Sequence, residues 1–245
     1  DVYKRQPLID AKMKVVDLRF NHPATHYLSG PSTCGKTVRM AKILRHKGKL
    51  LRGGANITNV VFCYAEWQKE YDKLKEEKAV TKWVNKMPTL EEFVDLVAPY
   101  KENGGSIVVI DDFMSKIGPD LDEIVRVTGR HNNASVFLLF QSLFPPHKLA
   151  RQISLNMKYL HLHKNPRENK QIYTLASQIH PVNNAWVVRA YHHATRERYS
   201  CVLFDLTQEC PEHLRIRSNY LPGEEPMTVY VEKGSIPAEY SIASV

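Results

Sequence analysis

The chain has 245 residues, enough for one large domain or two small ones. Hydrophobic residues make up 43% of the chain and charged residues 24%, a balance typical of globular proteins that excludes an intrinsically disordered chain. The formal net charge of +8 favours a polyanionic partner, although many small basic enzymes bind only nucleotides.

Composition also bears on the compartment. The four cysteines (Cys34, Cys63, Cys201 and Cys210) have neither the density nor the spacing of a disulfide framework, so we expect a reducing, intracellular environment. No apolar run approaches the ~18–20 residues of a membrane-spanning helix, and no signal peptide is visible at the start of the sequence. We therefore expect no membrane partner.

From His22 onward, short apolar runs alternate with helical stretches, as in α/β proteins with a mostly parallel sheet flanked by helices. The predicted strands are Thr25–Ser29, Val60–Tyr64, Ile107–Ile110, Val136–Phe140, Tyr159–His163 and, at an edge, Tyr199–Leu206. The predicted helices are Lys36–His46, Ala65–Lys75, Leu90–Tyr100, Leu121–Thr128, Lys148–Met157, Glu168–His180 and Asn184–Thr195.

The Leu121–Thr128 helix has the clearest pattern. Leu121, Ile124, Val125 and Thr128 fall at i, i+3, i+4 and i+7, which places them on one helix face. Gly129 follows directly and predicts the end of the helix.

Three regions follow from these elements. We expect an N-terminal extension over residues 1–22, one α/β domain over residues 23–215, and a C-terminal tail over residues 216–245. The tail is predicted because the sequence beyond Leu214 is irregular and contains a turn-forming run from Pro222 to Pro226.

A phosphate-binding motif follows the first predicted strand. Its residues fit the pattern GxxxxGK[ST] and are Gly30, Pro31, Ser32, Thr33, Cys34, Gly35, Lys36 and Thr37. The two glycines let the backbone curl so that its N–H groups point at phosphates. Lys36 is expected to reach the β- and γ-phosphates, and the Thr37 hydroxyl to hold Mg²⁺. A strand before the motif and a helix after it favour this reading over a chance glycine-rich turn.

A buried strand that ends in carboxylates supplies the second half of such a site. Ile107–Ile110 forms an apolar run typical of a central parallel strand, and Asp111 and Asp112 follow it. We expect Asp111 to bind Mg²⁺ directly or through water, and Asp112 to orient or deprotonate an attacking water. A helix N-cap is the alternative role for either residue.

The next strand, Val136–Phe140, is followed by Gln141, which can contact the γ-phosphate or the water. An ordinary polar strand end is the alternative. A strand inserted between the phosphate-loop strand and the carboxylate strand marks the motor ATPases, whereas small-molecule kinases and GTPases place these two strands side by side. The sequence order is compatible with the insertion.

At this point the chain resembles a known group. The stretch GRHNNASVFLLFQSLFPPHKLARQISLNMKYLHLHKNPRE, from Gly129 to Glu168, is similar to viral DNA-packaging ATPases of the FtsK–HerA superfamily, in their poxvirus-type, virophage and Polinton-like forms. The shared features are Gly-Arg-His before the strand, Gln at its end, an Ile-Ser-Leu-Asn helix and Lys-Asn-Pro-Arg after the next strand. With the phosphate loop and the paired aspartates, the resemblance covers roughly Thr25 to His180.

The resemblance implies a P-loop NTPase with a RecA-like core that binds ATP and Mg²⁺. It further implies a homo-oligomeric ring that translocates double-stranded DNA into a capsid, with contacts to capsid proteins. Its location would be the host cytoplasm or nucleus, or the virion. In that family an arginine near the start of the sensor strand reaches the γ-phosphate of the neighbouring subunit. Arg130 matches that position, with Arg167 as the fallback, and Asp112 departs from the Glu that many relatives carry.

Two other functions stay open at this stage. A helicase on single strands would need aromatic stacking surfaces, and no clustered aromatic motif is evident. A nucleotide switch or small-molecule kinase would need a base-reading element or an arginine-rich lid, and Arg196 and Arg198 could serve such a lid.

Basic residues late in the chain, and others on the first helix, have less specific roles. Arg189, Arg196, Arg198, Arg215 and Arg217 could line a ring pore or form subunit contacts. Arg39, Lys42, His46 and Lys49 recur at helical spacing, which favours a solvated helix face.

Overall fold

A computed structural model describes residues 17–224 and 226–232 of the chain. In these residues, nine strands form one sheet in the order β3-β2-β4-β5-β1-β6-β7-β8-β9. The strands are β1 (Thr25–Ser29), β2 (Asn59–Tyr64), β3 (Lys82–Val84), β4 (Ser106–Asp111), β5 (Ala134–Phe140), β6 (Tyr159–His163), β7 (Cys201–Asp205), β8 (Ile216–Ser218) and β9 (Thr228–Tyr230). Strands β1 to β6 pair in parallel, and β7, β8 and β9 add antiparallel pairs.

Helices lie between consecutive strands of the chain from β1 to β7. They are α1 (Lys36–Arg45), α2 (Lys47–Leu50), α3 (Glu70–Glu76), α4 (Leu90–Val97), α5 (Pro119–Glu123), α6 (Gly129–His131), α7 (Ala150–Leu155), α8 (Asn169–Ile179) and α9 (Asn184–Ala194). Short 3₁₀ turns lie at Gly54–Asn56, Ala98–Tyr100, Met114–Lys116 and Glu212–Leu214, and a π-helical turn lies at Ile124–Thr128. The predicted α/β class with a mostly parallel central sheet flanked by helices is confirmed.

The central strand β4 shows why the sheet is covered on both faces. Val108 and Ile110 belong to one hydrophobic cluster, whereas Ile107 and Val109 belong to the other. Successive side chains of a strand point to opposite faces, so an unbroken apolar run requires a core on each side. Helix α1 packs in the second cluster through Met40, and this fixes the segment that precedes it against the sheet.

Strand β5 lies between β1 and β4. Leu28 of β1 pairs with Leu139 of β5, and Leu139 pairs in turn with Asp111 of β4. Because these strands are parallel, their carboxyl ends meet at the same edge of the sheet. The inserted strand that the sequence allowed is therefore present.

Several predicted boundaries differ from the structure. Helix α3 begins at Glu70 rather than Ala65, since residues 65–69 form a loop at the sheet edge. The Leu121–Thr128 helix is longer, because α5 continues through the π-helical turn into α6. Gly129 has helical φ and ψ, and a Cβ there would lie 2.9 Å from the Ile124 carbonyl oxygen. Close packing, not a helix stop, explains this glycine.

The C-terminal part of the sheet also needs a correction. Strand β7 lies between β6 and β8 rather than at an edge. Strands β8 and β9 fall within the expected tail of residues 216–245, so the tail prediction is wrong as far as Tyr230, because this part of the chain pairs with the sheet. Residues 233–245 lie outside the described part.

The expected extension of residues 1–22 also reaches the core. Phe20 is buried and forms a β-bridge with Leu51, and His22 contacts the Ser135 hydroxyl at 2.7 Å. Residues 1–16 of this extension lie outside the described part. Among the helices that the structure describes, none is both long enough and apolar enough for a membrane crossing.

Candidate active site

The edge where β1, β5 and β4 end brings the predicted phosphate loop and the polar residues together. The backbone N–H of Gly30, at the start of the loop, donates to the Phe140 carbonyl at 3.3 Å. The N–H of Asp112 donates to the Leu139 carbonyl at 3.2 Å. The last two residues of β5 therefore hold both halves of the site, and Gln141 follows them directly.

The loop between β1 and α1 requires glycine at two positions. Gly30 has a φ of +156°, and a Cβ there would lie 2.7 Å from Cys34 Sγ and 2.8 Å from His163 Cβ. Gly35 has a φ of 99° in the left-handed region and caps α1 without a side-chain hydrogen bond. The first N–H groups of the helix have no intrahelical partners, so they suit an anion at this loop.

The Lys36 side chain folds back over the loop. Its Nζ donates to the carbonyl oxygens of Gly30 at 2.6 Å and of Pro31 at 3.1 Å. The ammonium is thereby held beside the backbone that would surround a phosphate, and it can exchange these carbonyls for phosphate oxygens.

Asp111 is a buried carboxylate beside Lys36 and Thr37. Burial raises its pKa to about 6, while a hydrogen bond from Tyr71 and the charge of Lys36 act in the opposite direction. The Tyr71 hydroxyl donates to Asp111 Oδ2 at 2.7 Å, and the Thr37 hydroxyl donates to Gln68 Oε1 at 3.2 Å. A cation would favour the ionised form of this buried acid.

The side-chain oxygens of Asp111 and Thr37 also fit Mg²⁺. This ion prefers oxygen ligands and is commonly held by one or two protein side chains together with substrate phosphates and water. The Asp111 carboxylate and the Thr37 hydroxyl supply such a set beside the loop. The predicted metal ligands, Thr37 and Asp111, therefore lie together, as the sequence pattern requires.

Asp112 and Gln141 form a second pair. Gln141 Nε2 donates to Asp112 Oδ1 at 3.2 Å. Asp112 has a φ of 64°, a left-handed conformation that is uncommon outside glycine, although Asn and Asp adopt it more readily than most. Both side chains are exposed at the sheet edge, where a water and a phosphate can reach them. A helix N-cap does not explain Asp112, since the next turn begins at Met114 with Phe113 as its cap.

A pocket of about 660 Å³ opens beside the loop and α1. Its lining residues are Gly35, Val38, Arg39, Lys42, Arg198, Tyr199, Ser200, Asn219 and Glu224. Tyr199 packs against Gly35, and the Arg198 guanidinium lies 4.7 Å from the centre of the Tyr199 ring. Small-molecule pockets commonly measure about 300–1,000 Å³, so this pocket has room for a nucleoside next to the phosphate loop.

The predicted arginines lie at opposite ends of the sheet. Arg130 is exposed on α6, before the first residue of β5, so it lies away from the phosphate loop of its own chain. Arg167 is exposed after β6, whose carboxyl end is at the same edge as the loop. The structure brings neither arginine into the cluster of Lys36, Thr37 and Asp111.

Sequence reasoning missed several residues at this site. The sequence predicts only a helix around Gln68 and Tyr71, and no local motif indicates that they contact Thr37 and Asp111. The prediction that Arg39 lies on a solvated helix face is wrong. Its side chain is 6% exposed and pairs with Glu224 at 3.2 Å, because the segment after β8 covers α1.

Comparison with known proteins adds the fold relationship. No protein-family model matches the chain, and no curated protein matches its sequence. Among solved structures, the chain is similar to the genome packaging NTPase B204 from Sulfolobus turreted icosahedral virus 2 in complex with ATP-gammaS. The TM-score is 0.53 at 14% identity, over 80% of this chain and 96% of that one. The two chains share one fold.

The same packaging NTPase in complex with AMPPCP gives a TM-score of 0.52 at 15% identity, with the same coverage of both chains. The resemblance that the sequence shows to packaging ATPases therefore extends to the P-loop NTPase fold. At this level of identity the relationship concerns the fold alone.

Proposed function

We propose that the chain is an ATP hydrolase that uses ATP and Mg²⁺ to translocate double-stranded DNA, in the manner of a viral genome-packaging motor. The position of β5 between β1 and β4 carries this proposal. It inserts Gln141 between the phosphate loop and the paired aspartates, the arrangement that distinguishes motor ATPases from small-molecule kinases and GTPases. The fold shared with a genome-packaging NTPase supports the same assignment.

Each residue of the loop region has a chemical task in this proposal. The loop N–H groups and Lys36 bind the β- and γ-phosphates and offset the charge that develops as the γ-phosphoryl group leaves. Thr37 and Asp111 hold Mg²⁺, which neutralises phosphate charge when bound. The 660 Å³ pocket beside Val38 and Tyr199 receives the nucleoside.

The Asp112–Gln141 pair acts on the attacking water. Asp112 accepts a proton from the water as general base, and the Gln141 amide holds the Asp112 carboxylate in place through its Nε2. Gln141 can also contact the γ-phosphate, since it follows the strand beside the loop. A change in that contact on hydrolysis would move the end of β5.

Arg130 completes the site of a neighbouring subunit in a homo-oligomeric ring. It precedes the seven residues of β5, which span about 20 Å at the usual rise per residue, so it does not reach the phosphate loop of its own chain. A residue that acts in trans belongs on such a distant surface. Arg167 lies at the other end of the sheet, on the same edge as the phosphate loop of its own chain, so it is the weaker candidate for a trans role.

Duplex DNA is the proposed polyanionic partner, and the net charge of +8 supports it. Four of the late arginines divide into two groups, whereas Arg198 lines the pocket beside the phosphate loop. Arg217 is buried in an ion pair with Asp205, and Arg215 binds Glu212, so neither is offered as a DNA contact. Arg189 and Arg196 are exposed and could face a central channel. Capsid proteins are the further proposed partners, in an infected cell or a virion.

Release of inorganic phosphate from ATP tests the function, measured with and without duplex DNA. We expect turnover that rises with duplex DNA and requires Mg²⁺. Transfer of the γ-phosphoryl group to a small acceptor, without phosphate release, would indicate a kinase. Stimulation by single strands together with strand separation would indicate a helicase. Either result would contradict the packaging-motor proposal.

A further inference from the structure

The short stretch from Gln68 to Tyr71, where α3 begins, contacts both side chains that are proposed to hold the metal. Gln68 lies in this segment, and its Oε1 accepts the hydrogen bond from the Thr37 hydroxyl. Tyr71 lies in the first turn of α3, and its hydroxyl donates to Oδ2 of Asp111. One short stretch of chain thus holds a residue from the phosphate loop and a residue from β4.

The direction of these two hydrogen bonds suits a cation. A threonine hydroxyl carries one proton and two lone pairs. When Thr37 gives its proton to Gln68, both lone pairs remain available to a metal. Tyr71 occupies one oxygen of Asp111, which leaves Oδ1 for the metal or for a water bound to it.

Tyr71 is held firmly enough to orient its partner. It is fully buried, and its ring centre lies 4.8 Å from that of Phe62, 5.5 Å from that of Trp67 and 5.6 Å from that of Trp83. The same aromatic cluster includes Trp67, which neighbours Gln68 in the chain and so helps to hold the loop that contacts Thr37.

We propose that Gln68 and Tyr71 are positioning residues that orient Thr37 and Asp111 toward Mg²⁺. This assignment rests on the proposed function of the site. Partners that orient metal ligands are commonly worth about 10–100-fold in metal affinity. Neither residue contacts the phosphate loop backbone through these bonds, so their effect should fall on the metal and not on the nucleotide alone.

The first test uses Tyr71→Phe, which removes one hydroxyl and keeps the buried ring. Electron paramagnetic resonance measures the dissociation constant of Mn²⁺ in the presence of a non-hydrolysable ATP analogue. We expect this constant to rise about 10–100-fold. Affinity for the analogue in EDTA, measured by calorimetry, should match that of the wild type. Tyr64→Phe, a hydroxyl removal in the same cluster, is the control and should change neither value.

Gln68 allows a matched pair of variants in a loop outside the core. Gln68→Met removes the acceptor at similar volume and should weaken Mn²⁺ binding. Gln68→Glu keeps an acceptor oxygen for the Thr37 proton and should retain Mn²⁺ binding. Asp111→Asn is the reference for a loss of Mn²⁺ affinity, since it removes the charge of a proposed ligand directly.

The outcomes separate this inference from the function on which it rests. If Asp111→Asn weakens Mn²⁺ binding but Tyr71→Phe and Gln68→Met do not, the positioning roles are wrong and the proposed site stands. Loss of analogue affinity in EDTA in both variants would indicate a purely structural role and would also overturn them. A wild-type protein that binds neither the analogue nor Mn²⁺ would overturn the proposed function itself.

Discussion

Gln141 donates a hydrogen bond to Asp112 across the ends of two neighbouring strands, with 3.2 Å between Nε2 and Oδ1. This contact exists only because β5 lies beside β4. The strand order therefore determines which polar side chains meet at the site. Asp112 makes this contact from a left-handed backbone conformation, with a φ of 64°. Backbone strain of this kind is often retained at functional sites.

The first prediction concerns Asp112→Asn. Asparagine tolerates the left-handed backbone, so the fold and the contact with Gln141 should remain. Without a base, the ATP hydrolysis rate should fall about 10²–10⁴-fold while ATP affinity is unchanged. Phosphate release and calorimetry measure the two quantities. Asp95→Asn, on the exposed side of α4, is the control, and a normal rate in Asp112→Asn would exclude Asp112 as the base.

The second prediction concerns Lys36→Ala. The variant removes the ammonium that lies over the loop carbonyls, so hydrolysis should be abolished. A hydrogen bond to a charged group contributes about 1.5–3 kcal/mol, so ATP affinity should fall roughly 10–100-fold. Calorimetry with a non-hydrolysable analogue gives the affinity. Lys49→Ala, an exposed lysine of α2, is the matched control. Equal affinity and turnover in the two variants would contradict the phosphate-loop assignment.

Much of the site could be predicted from the sequence because its residues are adjacent to strong local patterns. The glycine-lysine motif follows β1 and the aspartates end a fully apolar run, so their shared edge follows from parallel pairing. The contacts of Gln68 and Tyr71 could not be predicted from the sequence, since they depend on where the loop after β2 folds back. Because α3 begins only at Glu70, residues 65–69 form that loop. Helix propensity alone does not predict this starting point.

The missed strands have a similar explanation. Strand β8 has only three residues and contains Arg217, whose charge is satisfied by Asp205 on the neighbouring strand. Three residues are too few for an alternating or apolar strand pattern to be recognised in the sequence. The buried state of Arg39 depends likewise on Glu224, which is distant in sequence. Such pairs are fixed by tertiary structure, which local periodicity does not report.

The third prediction is a loss of stability in mild acid. Burial lowers the pKa of His163 to about 3 and the pKa values of His26 and His161 well below the usual range. The unfolded chain therefore binds more protons than the folded chain below about pH 6.5, so stability falls as the pH decreases toward the folded pKa values. Each histidine contributes up to about 1.4 kcal/mol per pH unit, whereas the raised pKa of Asp111 acts in the opposite direction.

Urea unfolding at pH 7.5 and pH 5.5 measures this dependence. The free energy of unfolding should be lower at pH 5.5. His161→Gln can keep the contacts with His26 and Tyr220, and it should reduce the pH dependence by up to one proton. His192→Gln, at an exposed position of α9, should leave the dependence unchanged. A wild-type stability that does not change between the two pH values would contradict a neutral buried histidine cluster.

The last prediction uses Arg130 to separate a ring motor from a monomeric enzyme. Arg130→Ala should bind ATP normally and hydrolyse it poorly, since an arginine supplied in trans is worth about 10³–10⁵ in rate in well-studied phosphoryl-transfer enzymes. Lys36→Ala should be inactive for a different reason, because its own site fails while its Arg130 is intact. In a mixed ring, an Arg130→Ala subunit keeps a competent site and can receive Arg130 from a Lys36→Ala neighbour.

Mixing the two inactive proteins should therefore restore part of the duplex-stimulated phosphate release. Analytical ultracentrifugation first establishes that both variants assemble, and subunit exchange is followed by fluorescence transfer between labelled proteins. Arg167→Ala mixed with Lys36→Ala is the comparison. Arg167 lies at the same edge of the sheet as the phosphate loop of its own chain, and a cis role for it predicts no recovery in that mixture. If the two variants form rings and exchange subunits but stay inactive at every mixing ratio, Arg130 does not act in trans. Its position far from the phosphate loop of its own chain would then not reflect a role in a neighbouring site.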